Sequence, residues 1–422
     1  VRRGLIAATG IAALMAGVAA CGPGGEPDSG ADGFKGQTLT LWAMDGSTPE
    51  QWEKDVKAAF EKKTGAKLNL EVQQWNGIQQ KLTTALSEPD PPDVIEVGNT
   101  QTPAYARTGG LADLGDLKRS IGKDWTESVN KSAVYGGKQY AAPWYTVNRT
   151  VIYNKRIWAD AGIDEPPTTR AEFFDALDAI EKKTDAEPLY LPGQNWYFFD
   201  GLLIGKKADL IRKQGGKWVS NLDDPRVGAA MKLYEKYASY SKAPKDKDEA
   251  TPQQAEVFAK GKTGAFIGLG WEAATAVEAN PGIKKDIGYF TIPGESADKP
   301  EGVFLGGSNL AVAAGSEKQE LAKEFLRIAL SDRFEGALAQ EGGVIPNKAS
   351  LQKKVEGNPA AEAAAPAVAG GGLTPLIPQW AAVENPPNPV KSYMTAVLKG
   401  KSHAAAAESV EDEINKRLSQ KQ

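Results

Sequence analysis

The strongest constraint on the fold is the switching of apolar period between residues 38 and 97. Residues 38–44 alternate, with Leu39 and Leu41 on one face, as a half-buried strand requires. Trp52, Val56, Ala59 and Phe60 then recur at helical spacing. Thr48, Pro49 and Gln51 predict a capping-box start for that helix, and Gly65 predicts its end. Leu68, Leu70 and Val72 alternate again, and Ile78, Leu82, Ala85 and Leu86 return to the helical period. Pro89, Pro91 and Pro92 stop this second helix before a third strand at 93–97. Strand, helix, strand, helix, strand predicts a parallel sheet with helices on its faces. Ligands of such sheets collect at the carboxyl ends of the strands. The loops there, 43–47, 74–77 and 98–102, are rich in Trp, Asn, Gln, Asp and Gly. They are the first candidate site.

The α/β alternation continues. Helices are predicted over 170–183, 227–237, 253–260, 318–331 and 402–418, with strands at 150–153, 265–269 and within 302–314. A chain of 422 residues has room for two domains. The net charge of −4, with no basic patch, excludes nucleic acid as the expected partner. One His and one Cys cannot build a zinc or copper site, and no EF-hand loop occurs, so no metal or cofactor is expected. His403, on the last helix, is expected to be exposed to solvent. No nucleophile elbow, HExxH or acid/base motif points to catalysis.

The first twenty residues read as an export signal: basic Arg2 and Arg3, a short apolar run to Ala20, and small residues at the cut. Val18-Ala19-Ala20-Cys21 resembles the lipobox of bacterial lipoproteins, which implies a lipidated Cys21. Residues 21–36, rich in Gly, Pro, Asp and Ser, read as a flexible tether from membrane to domain. A lone Cys leaves no intrachain disulfide to stabilise an exported fold.

Six segments, in order, resemble the family 1 extracellular solute-binding proteins of carbohydrate ABC transporters. They are Gly109-Gly110-Leu111-Ala112-Asp113-Leu114; Tyr140 to Pro143 followed by Val151-Ile152-Tyr153-Asn154-Lys155; Ala161-Gly162-Ile163 with Pro166-Pro167-Thr168; Lys260 to Phe266 with Gly270-Trp271; Gly306 to Val312; and Gly343-Val344-Ile345-Pro346. The resemblance implies a periplasmic-binding-protein type II fold, two α/β lobes joined by hinge crossings with a ligand cleft between them. Lobe 1 is expected over 37–147 plus 308–348 and lobe 2 over 148–307 plus 349–422. The crossings are expected near 146–149, 303–307 and 346–350.

A sugar presents hydroxyls and apolar C–H faces, so its binder needs flat aromatic platforms and side-chain amides or carboxylates. The expected substrate-binding residues are Asp45, Trp75, Asn76, Asn99 and Gln101 at the strand ends, and Trp144 at the first crossing. Asn195, Trp196, Trp271, Gly307, Ser308, Asn309 and Trp380 complete the set. Trp271 ranks first, matching the tryptophan that the family places under the sugar. Of Trp196-Tyr197-Phe198-Phe199, two are expected in the core. The resemblance implies a monomeric binding protein, not an enzyme, that hands its sugar to an ABC permease driven by ATPase subunits. The strings Trp42-Ala43-Met44-Asp45-Gly46-Ser47 and Val97-Gly98-Asn99-Thr100-Gln101 look most like actinobacterial binders of chitobiose or other N-acetylglucosamine-containing sugars. Cellobiose, maltose and related glucosides remain alternatives, as do a sensory sugar-binding lipoprotein and a glycosidase.

Overall fold

The computed structural model describes residues 33–420. The signal segment, Cys21 and most of the tether lie outside the described residues. No helix among those described is long and apolar enough to cross a membrane.

Ten strands build the two main sheets. In chain order they are β1 Thr38–Met44, β2 Lys67–Gln73, β3 Val94–Gly98, β4 Ala142–Val147, β5 Thr150–Asn154, β6 Glu187–Tyr190, β7 Thr263–Gly268, β8 Ile287–Phe290, β9 Gly306–Val312 and β10 Ile345–Pro346. The first sheet has the order β10-β4-β9-β3-β1-β2 and the second β8-β5-β7-β6. β1 is parallel to both β2 and β3, in the register Leu39 to Leu68 and Leu41 to Val94. The parallel sheet read from the first hundred residues is therefore present. β9 departs from it, running antiparallel to β3 and β4.

Between these strands lie the helices that the periodicity predicts. Helix Glu50–Thr64 buries Trp52, Val56 and Phe60 and ends on Gly65 at φ 69°. Its start differs from expectation. Pro49 is itself the cap residue, extended at ψ 145°, with no side-chain cap bond. The Thr48 hydroxyl donates instead to the Glu53 carboxylate at 2.5 Å, and a charged acceptor outcompetes the backbone as its partner. A capping box does form elsewhere, at helix Arg170–Lys183. The Thr169 hydroxyl accepts from the Glu172 N–H, and Glu172 Oε2 accepts from the Thr169 N–H at 3.0 Å. Thr169→Ala is expected to lower stability by about 1 kcal/mol and leave ligand affinity unchanged. Urea unfolding checks this; a loss under a few tenths would show the cap to be idle.

Each sheet has its own core. Around the first, Trp52, Phe60, Phe325, Phe334 and Trp144 pack on Leu39, Leu41 and Leu310. Around the second, Trp158, Phe173, Tyr237 and Phe290 interlock, with the Phe173 and Phe290 rings edge-on at 5.4 Å. The chain passes between the sheets three times. Only Asn148 and Arg149 separate β4 from β5. Residues between β8 and β9 make the second passage. The third lies later than 346–350. Ala349 N–H still donates to Asp124 O at 3.2 Å, and Lys348 Nζ to Leu330 O at 2.6 Å, both on the first unit. The chain reaches the second at helix Pro359–Ala364, where Ala363 O accepts from Thr291 Oγ1 at 2.7 Å. The first unit thus keeps the turn Ala349–Val355, which packs on helix Asp332–Gly342 and on β10.

The last helix, His403–Ser419, is held to the second unit by Asn415 Oδ1, which accepts from the Ser220 N–H at 2.7 Å. His403 is not free on that helix as expected. Its Nδ1 lies 2.5 Å from the Tyr393 hydroxyl, and its ring edge covers Gly228 so closely that a Cβ there would meet it at 2.8 Å.

Candidate functional site

The carboxyl ends of β1, β2 and β3 open on a cleft of about 1620 Å³ between the two units. All three loops read from the sequence line it, through Asp45 to Ser47, Trp75 to Gly77 and Gly98 to Gln101. The opposite wall comes from Trp196, Tyr197, Glu249, Gln253 and the turn Leu269 to Glu272. Phe304, Gly306, Gly307 and Ser308 line it where the chain returns to the first sheet.

The aromatic side chains fall into two groups. Trp75 and Trp271 are 45% and 48% exposed, and with Val72 they are the large apolar side chains most open to solvent among the described residues. An exposed indole costs hydration free energy unless something covers it. Trp75 stands on the first unit over Gly98, where an added Cβ would lie 3.7 Å from its ring. Trp271 stands on the second. Trp196, Tyr197 and Phe304 form a more sheltered wall, Tyr197 stacking on Phe304 at 4.6 Å and 15°. Phe198 and Phe199 lie in the core.

Four expected site residues do not reach the cleft. Trp144 points to the other side of β4, into the first core, 5.5 Å from Trp52. Its neighbour Tyr145 takes the cleft-facing position, since successive residues of a strand face opposite ways. Asn195 is buried as a helix cap, its Oδ1 accepting from Phe198 N–H and its Nδ2 donating to Ile267 O, both at 3.3 Å. Asn309 is buried between Thr102 and Ser132, donating to their hydroxyls at 2.9 and 3.1 Å. Trp380 lies behind Trp196 at 6.5 Å and donates Nε1–H to Glu384 at 2.9 Å. The other nine, Asp45, Trp75, Asn76, Asn99, Gln101, Trp196, Trp271, Gly307 and Ser308, line the cleft. Asn99 does so with its amide already committed to Leu305 O at 2.7 Å. Gly307 sits at φ 124°, and a side chain there would run into the Tyr145 carbonyl.

Sequence reasoning missed the polar frame of the cleft. Arg149 is its one lining cation, and Glu249 Oε1 accepts from Arg149 Nη2 at 2.6 Å while the guanidinium lies 5.3 Å over the Tyr197 ring. Thr100 donates its hydroxyl across the cleft to Glu384 at 2.8 Å. Burial pushes the Glu384 and Glu272 carboxyls each up to about 7, against hydrogen bonds from Thr100 and Trp380 in one case and from Leu269 and Gln254 in the other. Asp200, behind this wall, is pushed up to about 8 by burial and by the nearby Glu384. Glu96, Ser47, Tyr145 and Ser308 form a buried hydrogen-bonded group on the first unit. Ser308 was among the expected site residues, Ser47 and Thr100 lay in the candidate loops, and Tyr145 stood beside a predicted Trp; Glu96, Arg149, Glu249, Glu272 and Glu384 carried no signal. No group of three His, Cys, Asp or Glu able to hold a metal is found among the described residues.

A cleft at parallel strand ends between two α/β units is a trap for a small solute. Comparison with known proteins places it. Residues 45–334 match the model of the bacterial extracellular solute-binding protein family.

The chain belongs to this family.

Its members are extracellular solute binders and not enzymes. This solute-binding protein is 67% identical, over all of both chains, to the diacetylchitobiose binding protein DasA of Streptomyces coelicolor. It is 26% identical to a maltooligosaccharide ABC transporter solute-binding lipoprotein of Streptococcus pneumoniae, over 78% of this chain and 76% of that one. Among solved structures, the GacH receptor of Streptomyces glaucescens superposes with a TM-score of 0.76 at 24% identity, covering 92% of this chain and 99% of that one. A cyclo/maltodextrin-binding protein complexed with maltotetraose gives 0.75 at 22% identity, over 91% and 98%. These last two establish the type II two-lobed fold for this solute-binding protein.

Proposed function

We propose that this chain is the extracellular binding component of a carbohydrate ABC importer, and that its solute is N,N′-diacetylchitobiose or another N-acetylglucosamine-containing sugar. The observation that carries the reading is the pair Trp75 and Trp271, two open indoles that face one cleft from its two units. Each supplies a flat platform for the C–H face of a pyranose ring, and Asp45, Asn76 and Gln101 stand near with polar groups for its hydroxyls. The likeness to DasA over the full length supports the choice of sugar. The charge of the cleft supports a neutral solute. Asp45, Glu249, Glu272, Glu278 and Glu384 line it, and its one cation is already paired with Glu249. A phosphate or carboxylate ligand would meet net negative charge there.

Residues 37–147 with 306–355 form one lobe in this reading, and 148–305 with 356–420 the other. A sugar that touches Trp75 and Trp271 together binds the closed form better than the open one, and that difference alone drives closure. The closed form is then read by the permease, whose ATPase subunits power import. Cys21 carries the lipid anchor, residues 21–36 are the leash, and the protein acts as a monomer.

Calorimetry on protein beginning after Cys21 tests this against N,N′-diacetylchitobiose, cellobiose, maltose and maltotriose. The expected result is micromolar or tighter, saturable binding strongest for N,N′-diacetylchitobiose, with the sugar recovered intact. No binding by any of the four, or hydrolysis of a bound one, sinks the reading. A preference for maltotriose would move the solute to the maltooligosaccharide class.

A further inference from the structure

Glu96 is a carboxylate sealed behind the wall of the first unit, 1% exposed and not itself part of the cleft surface. Three donors converge on it. The Met44 backbone N–H donates to Oε2 at 2.7 Å, and the hydroxyls of Ser47 and Tyr145 both donate to Oε1, at 2.7 and 2.8 Å. The Ser308 hydroxyl donates in turn to the Tyr145 oxygen at 3.1 Å. Ser47 lies in the turn after β1, Tyr145 in β4 and Ser308 in β9, and all three line the cleft. Burial holds the Tyr145 phenol well above its ordinary range, so it keeps a proton to donate.

A hydroxyl has one proton and two lone pairs, and a carboxylate only accepts. Burial pushes the Glu96 carboxyl up, and the hydrogen bonds that converge on it from Met44, Ser47 and Tyr145 oppose that shift. On the ionised carboxylate Ser47 and Tyr145 commit their only protons to Glu96, and Ser308 commits its own to Tyr145. What these three oxygens have left for the cleft is lone pairs. Their facing is coordinated, because Ser47 Oγ and Tyr145 Oη stand 2.9 Å apart and share one carboxylate oxygen.

We propose that Glu96 is a positioning residue that sets specificity: it orients Ser47, Tyr145 and Ser308 so that this wall accepts hydrogen bonds from hydroxyl or N–H donors of the bound sugar and rejects a group that can only accept. The proposal rests on the sugar reading above. It names what the wall demands of the sugar at one point of contact, and it assigns that demand to a residue the sugar never touches.

Glu96→Gln separates this role from support of the fold. The Met44 N–H can only donate, so it keeps the glutamine carbonyl beside it. The amide N–H groups then face Ser47 and Tyr145 and turn the protons of those hydroxyls into the cleft. The probes are N,N′-diacetylchitobiose and a set of its singly deoxyfluorinated analogues, in which one hydroxyl at a time is replaced by a fluorine that cannot donate. In the parent protein, fluorine at the contacting position is expected to cost at least about tenfold in affinity, as a lost hydrogen bond to a buried acceptor does. In Glu96→Gln, affinity for the unmodified sugar falls about tenfold or more, and the penalty for that fluorine shrinks below about threefold. Tyr145→Phe, which removes one oxygen only, is the second variant should the first fail to fold. It is expected to reduce the same fluorine penalty and no other.

Unchanged affinity and an unchanged fluorine pattern in Glu96→Gln overturn the proposal. So does an equal loss for every analogue accompanied by a lower unfolding temperature, which is what a merely structural role would give. Failure of the parent protein to bind any of the sugars is a separate outcome; it removes the sugar reading and this inference with it.

Discussion

Trp271→Ala and Trp75→Ala are each expected to weaken binding of N,N′-diacetylchitobiose by roughly 2 kcal/mol, about thirtyfold, with the double variant weaker by more than a hundredfold. Both indoles are about half exposed in the structure. Neither side chain is needed to fill a core, so truncation leaves no cavity, and unfolding temperature is expected to shift little. That separation distinguishes a binding residue from a packing residue. Trp144 and Trp380 provide the contrast. Both are almost wholly buried, and replacing either by Ala is expected to cost about 3–5 kcal/mol of stability. Calorimetry and thermal melting on the four variants decide the matter. If Trp75→Ala and Trp271→Ala bind the sugar as the parent does, the aromatic platforms lie elsewhere. The sum of the two single effects need not equal the double one, since a single ring would touch both walls after closure.

Stability is expected to fall as pH rises from about 4 to 8, with Asp200 and Glu335 acting over the whole range and Glu272 and Glu384 adding to them up to about pH 7. Asp200 and Glu335 are buried and pushed up to about 8, and burial is the leading reason in each. Neither oxygen of Glu335 has a partner, and Oδ2 of Asp200 has none. Burial outweighs what favours the ionised form, which at Glu335 is the nearby Lys348, and each is held towards the neutral acid in the folded chain. The unfolded chain releases the same protons near pH 4. Between pH 4 and 8 the folded state therefore holds more protons than the unfolded one. The stabilisation is full below the unfolded value and is lost as pH climbs to the folded one. Carboxylates held low on the surface, such as Glu172 at its capping box, titrate below this window and do not mask the trend. Asp200→Asn and Glu335→Gln imitate the neutral acid and are expected to flatten the curve. A melting temperature that stays level from about pH 4 to 8 in the parent protein would falsify this assignment.

The candidate site was legible in outline and not in detail, for reasons that particular residues make plain. The three loops after β1, β2 and β3 could be found because a change of period marks a strand end, and parallel topology puts successive ends on one edge. Trp75, Asn76 and Gln101 followed from that. Trp144 did not, because β4 is buried on both faces from Ala142 to Thr146. Such a strand has no polar and apolar alternation to say which side chains face out. Asn195 and Asn309 failed differently. Asn suits a sugar hydroxyl and a backbone group equally well, and here helix capping and a buried Thr102–Ser132 contact claimed them. Asp45, by contrast, stands exposed beside a helix start that has no side-chain cap bond at all.

Sequence alone determined the α/β order, the edge on which a site had to lie, the open indoles at 75 and 271 as candidates, and the family. Those depend on local period, turn residues and short strings, which a linear chain displays. Only the tertiary structure decided which face of β4 meets the cleft, where the third passage runs, and that Ser47 and Tyr145 share the Glu96 carboxylate with Ser308 bonded to Tyr145 behind them. A buried charge draws its partners from wherever packing brings donors within about 3 Å, and separation along the chain carries no record of that distance.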